Sequence, residues 1–189
     1  MTLLIVVGAT KKCICAAVGC TGGIAVTALL TLLVSNLLHL TGMSDEQSMY
    51  LMLMDDVQVD LRALLFGAIL VGAVGAVMDV SMSLSSSLLE VSEKMGERRN
   101  FKEIFRSGMT IGRDIMGTMA NTLILAYIGS SLSVVLLTVA NESSFLSLFN
   151  REMIVEEIMQ AIAGSFGILF TIPLTSLFAA WLYTKSKTK

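Results

Sequence analysis

The sequence predicts an all-α fold, a polytopic transmembrane helical bundle with four full spans and an N-terminal apolar stub. Three observations carry this reading. Of 189 residues, 54% are hydrophobic and 15% charged, well off the balance of an ordinary soluble domain. Several uncharged stretches reach the length of about 20 residues that a helix needs to cross a bilayer. The basic residues then gather on alternate connections, as membrane insertion requires.

The chain reads as a single membrane domain over residues 1–189. The first span is expected at about 13–38, a stretch of 26 residues without a charge. From Thr41 to Asp60 the chain is acidic and rich in Met, an exposed connection with one short amphipathic helix at about Gln47 to Val57. A second span at about 61–82 continues as a helical extension to 93. Unbroken, that helix would run roughly 50 Å, more than the membrane is thick. A basic loop follows at 94–110, then a third span at about 111–140 and a fourth at about 154–183. Met1 to Gly8 is apolar but too short to span, and Lys11-Lys12 follows it, whereas a cleavable signal carries its charges first. The stub therefore reads as the end of a helix whose beginning is absent.

Orientation follows from the charges. Of 13 basic residues, 11 fall on one side: Lys11, Lys12, Lys94, Arg98, Arg99, Lys102, Arg106, Arg113, Lys185, Lys187 and Lys189, with Arg62 and Arg151 opposite. The positive-inside rule makes that side cytoplasmic and predicts a multi-pass protein of the plasma (cell) membrane with a cytoplasmic C-terminus. The formal net charge of -2 and this segregation argue against a nucleic-acid partner. Cys13, Cys15 and Cys20 would lie near the reducing side, where a disulfide is not expected, and their C-x-C-x4-C spacing lacks the pairing of a zinc site. No metal or cofactor is expected. The serines Ser81, Ser83 and Ser85 to Ser87 have no His or Lys base beside them, so no catalytic residue is assigned and no enzyme is expected.

Polar residues within the spans are the functional signal, because the bilayer makes them costly. On the second span Ala68, Gly72, Gly75, Ala76, Asp79, Ser83, Ser86 and Glu90 fall along one helical line, small and then polar. The third span carries Ser107, Asp114, Thr118 and Asn121 on one face, with Gly117 beside it. A third such face on the fourth span combines Gly164, Gly167, Thr171 and Thr175, with Pro173 expected to kink the helix and free a carbonyl. Gly72, Gly75, Gly117, Gly164, Gly167 and Pro173 are read as helix-packing positions. Asp79, Ser83, Asp114, Thr118 and Asn121 form the candidate intramembrane site, able to share a proton or hold a cation. Two structural alternatives stay open: Asp114 could begin a helix, and Asp79 could pair with Arg113. Glu152, Glu156, Glu157 and Gln160 open the fourth span, either as a vestibule for cations or as an ordinary acidic first turn.

Three blocks of the chain resemble the YibE/F-like family of bacterial membrane proteins: GAVGAVMDVSMSLSSSLLE from Gly72 to Glu90, FRSGMTIGRDIMGTMANTLILAYIGSSL from Phe105 to Leu132, and IPLTSL from Ile172 to Leu177. The resemblance covers nearly all of the chain and implies a multi-spanning plasma-membrane protein with further helices upstream, relative to which this chain looks truncated at its N-terminus. It implies no settled activity.

The expected function is that of a transporter or permease component moving an ion or small solute. A non-transporting membrane scaffold or assembly subunit is the alternative. Expected partners are the lipid bilayer and either further copies of the chain, as a homo-oligomer, or another membrane subunit. An intramembrane aspartyl protease has two Asp residues to draw on but neither a YD nor a GxGD signature.

Overall fold

The structure, a computed structural model, describes residues 11–38, 60–96, 99–141 and 152–185. The N-terminal stub, the amphipathic helix expected at 47–57, the connection at 142–151 and the tail 186–189 lie outside the described residues. What is described is entirely helical: α1 (Lys11–Leu38), α2 (Leu61–Met95), α3 (Phe101–Asn141) and α4 (Glu152–Lys185). Three stretches among the described residues are long and apolar enough to cross a membrane: Lys12–Leu37, Leu61–Met95 and Ile154–Lys185. The third expected span falls within α3, some of whose outer side chains are outside the described set.

Helix ends follow local chemistry. Asp60 caps α2, its carboxylate accepting from the backbone N–H groups of Arg62 at 3.0 Å and Ala63 at 3.4 Å, two donors that have no partner within the helix. Gly96 ends α2 with φ of 54°, a conformation that favours glycine, and its N–H donates to the Glu93 carbonyl. Arg99 Nε reaches back to the Ser92 carbonyl at 2.9 Å. Asn100 opens α3, accepting from Lys102 N at 3.3 Å through its side chain and from Ile104 N at 3.1 Å through its carbonyl. Residues 101–110, expected as part of a loop, are therefore the first turns of a helix. With 35 and 41 residues, α2 and α3 extend roughly 52 and 61 Å, beyond a hydrocarbon core of about 30 Å.

Helix α4 is central and packs against the other three. Its seam with α1 is reciprocal. A methyl on Gly19 would collide with Thr175, one on Gly23 with Thr171, and one on Gly167 with Thr27. Each glycine thus receives a threonine of the other helix, at a spacing of four residues on both, and the two backbones approach closely. Thr27 and Thr171 turn their hydroxyls onto carbonyls of their own helices, at 3.0 and 2.7 Å, so burial leaves neither hydroxyl unbonded. Val77 of α2 fits at the same level, against both Gly23 and Gly167.

Toward the end of the molecule where basic residues gather, Cys15, Val80, Leu84, Leu88, Ile104, Ile168, Ile172, Ala179, Ala180 and Tyr183 form one buried cluster. Ser85 ties α2 to the start of α1, its hydroxyl donating to the Lys12 carbonyl at 2.7 Å. Cys13, Cys15 and Cys20 are buried and unbridged, packing as small apolar side chains. Outside the core, α1, α3 and α4 present Leu29, Leu33, Leu125, Leu136, Ile162 and Trp181 to the surroundings. Apolar surface of this kind facing outward suits lipid rather than water.

Candidate functional site

The three faces that combine small and polar residues take different places. That of α4 is buried: Gly164, Gly167, Thr171 and Thr175 all face the bundle interior, Gly167 against Thr27 and Gly164 against Leu123. Those of α2 and α3 lie on the outside of the chain. Asp79, Ser83, Asp114, Thr118 and Asn121 are all exposed, as are Gly75 and Gly117, and a methyl at either glycine would meet nothing within 4 Å. The buried face of α2 is instead its apolar one, with Ile69, Ala73, Val77, Val80, Leu84 and Leu88.

Contacts among α2, α3 and α4 fix how these two outward faces are placed. Gly72 of α2 receives the Tyr127 hydroxyl of α3 and Gln160 Nε2 of α4, each 2.9 Å from where a methyl would stand. At 100° per residue Gly72, Asp79, Ser83 and Glu90 fall within about 40°, so Asp79 and Ser83 continue the flank of α2 that turns toward α3. On α3, Gly112 meets Ile172 and Leu123 meets Gly164 on the α4 side, while Gly108 lies between Ser176 of α4 and Leu88 of α2. Turning further the same way round the helix leads to Asp114, Thr118 and Asn121, within about 60° of one another. Both polar stretches therefore lie on the outer surface of the chain, that of α2 on the flank of Gly72 and that of α3 turned away from the bundle, with Asp114 reaching the groove lined by Leu169, Ile172 and Pro173 of α4.

Their register follows from the same contacts. Tyr127 at Gly72 and Leu88 at Gly108 align the antiparallel helices so that Asp79 lies at the level of about residues 117–120, one residue short of Asn121, and Asp114 at the level of about residues 82–85, which include Ser83. The two carboxylates are offset in depth by about 5–9 Å. Each carboxylate falls at the level of a neutral polar residue of the other helix rather than at the level of the other carboxylate. At the acidic end the α2–α3 seam meets Tyr127, Gln160 and the half-buried Glu157; at the basic end it passes Glu90, which is paired with Lys94 at 2.8 Å.

Neither structural alternative for the aspartates is realised in this arrangement. Asp114 follows thirteen residues of helix, far from the start at Phe101, so no helix N-terminus favours its charge there. No ion pair joins Asp79 to Arg113 among the described residues. Thr118 satisfies itself, donating to the Ile115 carbonyl at 2.9 Å.

The sequence reading overlooked the α1 face of Gly19, Gly23 and Thr27, whose four-residue spacing was the available signal. It also overlooked Tyr127, an aromatic whose hydroxyl only the packing brings beside Gly72. Pro173 lies inside a helix that continues to Lys185, and close to it the hydroxyls of Thr175 and Ser176 are buried without a hydrogen-bond partner. A cleft of about 220 Å³ between α1 and α4, lined by residues such as Leu30, Val34, Met159 and Phe166, is apolar and offers little to discriminate a polar solute.

Set against known proteins, residues 1–185 match a family model described as YibE/F-like protein. No curated protein and no solved structure matches the chain significantly.

Proposed function

The chain belongs to the YibE/F-like family, and on that premise we propose that it is a transporter or permease component moving an ion or small solute along the α2–α3 seam. One observation carries this reading: costly polar groups of two neighbouring helices are left exposed at overlapping levels, while α2 turns its apolar face to the core. Asp79 with Asn121 forms one station, and Asp114 with Ser83 and Thr118 the next. Carboxylates with neutral oxygen donors suit a cation or a proton. No covalent step is involved, and none of these residues acts as a catalyst.

An aspartate facing acyl chains would be expensive. The open side of the seam is therefore closed in the membrane by protein, either a second copy of the chain or another membrane subunit. By the positive-inside rule the basic end faces the cytoplasm across the cell membrane, so the C-terminus is cytoplasmic. The entry with Glu157 and Gln160 then faces outward.

Flux into liposomes tests the proposal. With protons and monovalent cations screened in turn, Asp79→Asn and Asp114→Asn should each lower the transport rate at least about tenfold, the scale of an intramembrane charge of 1.4 kcal/mol or more. Because both side chains are exposed and have no ion-pair partner among the described residues, unfolding of the variants should shift by no more than about 0.5 kcal/mol. Flux unchanged in both would remove the two stations. The same outward faces also favour the scaffold reading, in which they bind a non-transporting assembly. Cross-linking in native membranes separates the two: a stoichiometric partner at Lys94 to Arg106, together with no flux of any ion, would support the scaffold.

A further inference from the structure

The other margin of α3 carries a different chemistry. Where α3 leans on α4 near the basic end, an open groove of about 740 Å³ is lined by Arg106, Met109, Thr110, Arg113, Asp114 and Met116 of α3 and by Leu169, Ile172 and Pro173 of α4. Arg106 and Arg113 are seven residues apart, two turns along one side of the helix. Both are exposed, and neither guanidinium makes a hydrogen bond or an ion pair to the described residues. Between and below them the wall is apolar, with two flexible methionines and the Leu169, Ile172 and Pro173 surface.

We propose that this groove holds an anionic phospholipid of the surrounding bilayer, its phosphate between Arg106 and Arg113 and an acyl chain along Met116, Leu169 and Ile172. Charge and shape agree on this occupant. Two unpaired guanidinium groups about 10 Å apart along the helix axis can fork onto phosphate oxygens from both sides, at the end of the bundle that also carries Lys12, Lys94, Arg99, Lys102 and Lys185. A soluble anion would use the arginines and leave the apolar wall wet, whereas a lipid covers both. Two arginines favour a headgroup of net negative charge, such as that of phosphatidylglycerol, over the zwitterionic phosphatidylcholine. Asp114 sits at the rim, where its charge opposes the phosphate and keeps the headgroup on the arginine side.

Native mass spectrometry of the purified chain, titrated with phosphatidylglycerol or phosphatidylcholine, tests this. The unaltered protein should retain phosphatidylglycerol about tenfold more strongly than phosphatidylcholine. The Arg106→Gln/Arg113→Gln double variant should lose that preference, and Arg62→Gln at the opposite end should keep it. Met116→Trp fills the groove while leaving both arginines in place and should also release the lipid. An excess of inorganic phosphate should not displace it, because phosphate lacks the chain that covers the apolar wall. Equal retention of the two lipids, displacement by phosphate, or full retention by the double variant would overturn the proposal. A thermal melt of each variant separates loss of lipid from loss of fold.

Discussion

Gly23→Ala should destabilise the bundle by about 1–3 kcal/mol, and Gly23→Leu by more, enough to prevent recovery of folded protein. A methyl at this position would overlap the Thr171 hydroxyl, stand 2.8 Å from Val77 Cγ1 and 3.2 Å from the Gly167 carbonyl oxygen. Rotating Thr171 relieves only the first of these. The others belong to a stiff β-branched side chain and to backbone, so two helices must move apart. Alanine normally favours a helix over glycine by about 1 kcal/mol, which makes a loss here diagnostic of packing. Gly75→Ala, where a methyl meets nothing within 4 Å, should show that gain or no change. Thermal unfolding in detergent, followed through the single Trp181, measures both. A melt of Gly23→Ala identical to that of the unaltered chain would mean that α1 and α4 do not cross at this point.

Tyr183→Ala should cost about 3–5 kcal/mol, the range for deleting a large buried aromatic, while Tyr183→Phe should cost no more than about 1 kcal/mol. The ring is 2% exposed and packs in the cluster with Cys15, Leu84, Leu88 and Ala180. Its hydroxyl reaches the Ser85 carbonyl at 3.5 Å, the outer limit of a hydrogen bond and a weak contribution at best. Ring volume is thus the main term, and chemical denaturation of the two variants separates it from the hydroxyl. Equal losses for Ala and Phe would assign the contribution to the hydroxyl instead. Tyr183 and Ser85 also hold α2, α4 and the start of α1 together at the basic end.

Much of the candidate site was legible as a set of residues, and little of it as a geometry. Asp79 and Asp114 stand out in any membrane sequence because their charge is costly there. Their offset, each level with a neutral polar residue of the other helix, depends on which turn of α2 meets which turn of α3. That register is decided by Gly72 accepting Tyr127 and Gly108 accepting Leu88, contacts between residues 55 and 20 positions apart in the chain. The lipid groove was less visible still. Arg106 and Arg113 entered the sequence reading as orientation signals, and Pro173 as a kink, with nothing to place them around one groove.

By itself the sequence determined the helical class and the approximate limits of four long helices, because apolar length is a local quantity that backbone hydrogen bonding in lipid converts directly into helices. The buried glycine and threonine face of α4 was also legible, since close backbone approach demands small residues in either environment. Which face of α2 turns inward was decided by the tertiary structure alone. In water, burial of apolar surface would choose the face with Ile69, Val77 and Leu84; in lipid that preference vanishes, because acyl chains are as apolar as leucine. Shape decides instead, and Val77 fits between Gly23 and Gly167. The polar residues Asp79 and Ser83 are thereby left on the outside of the chain.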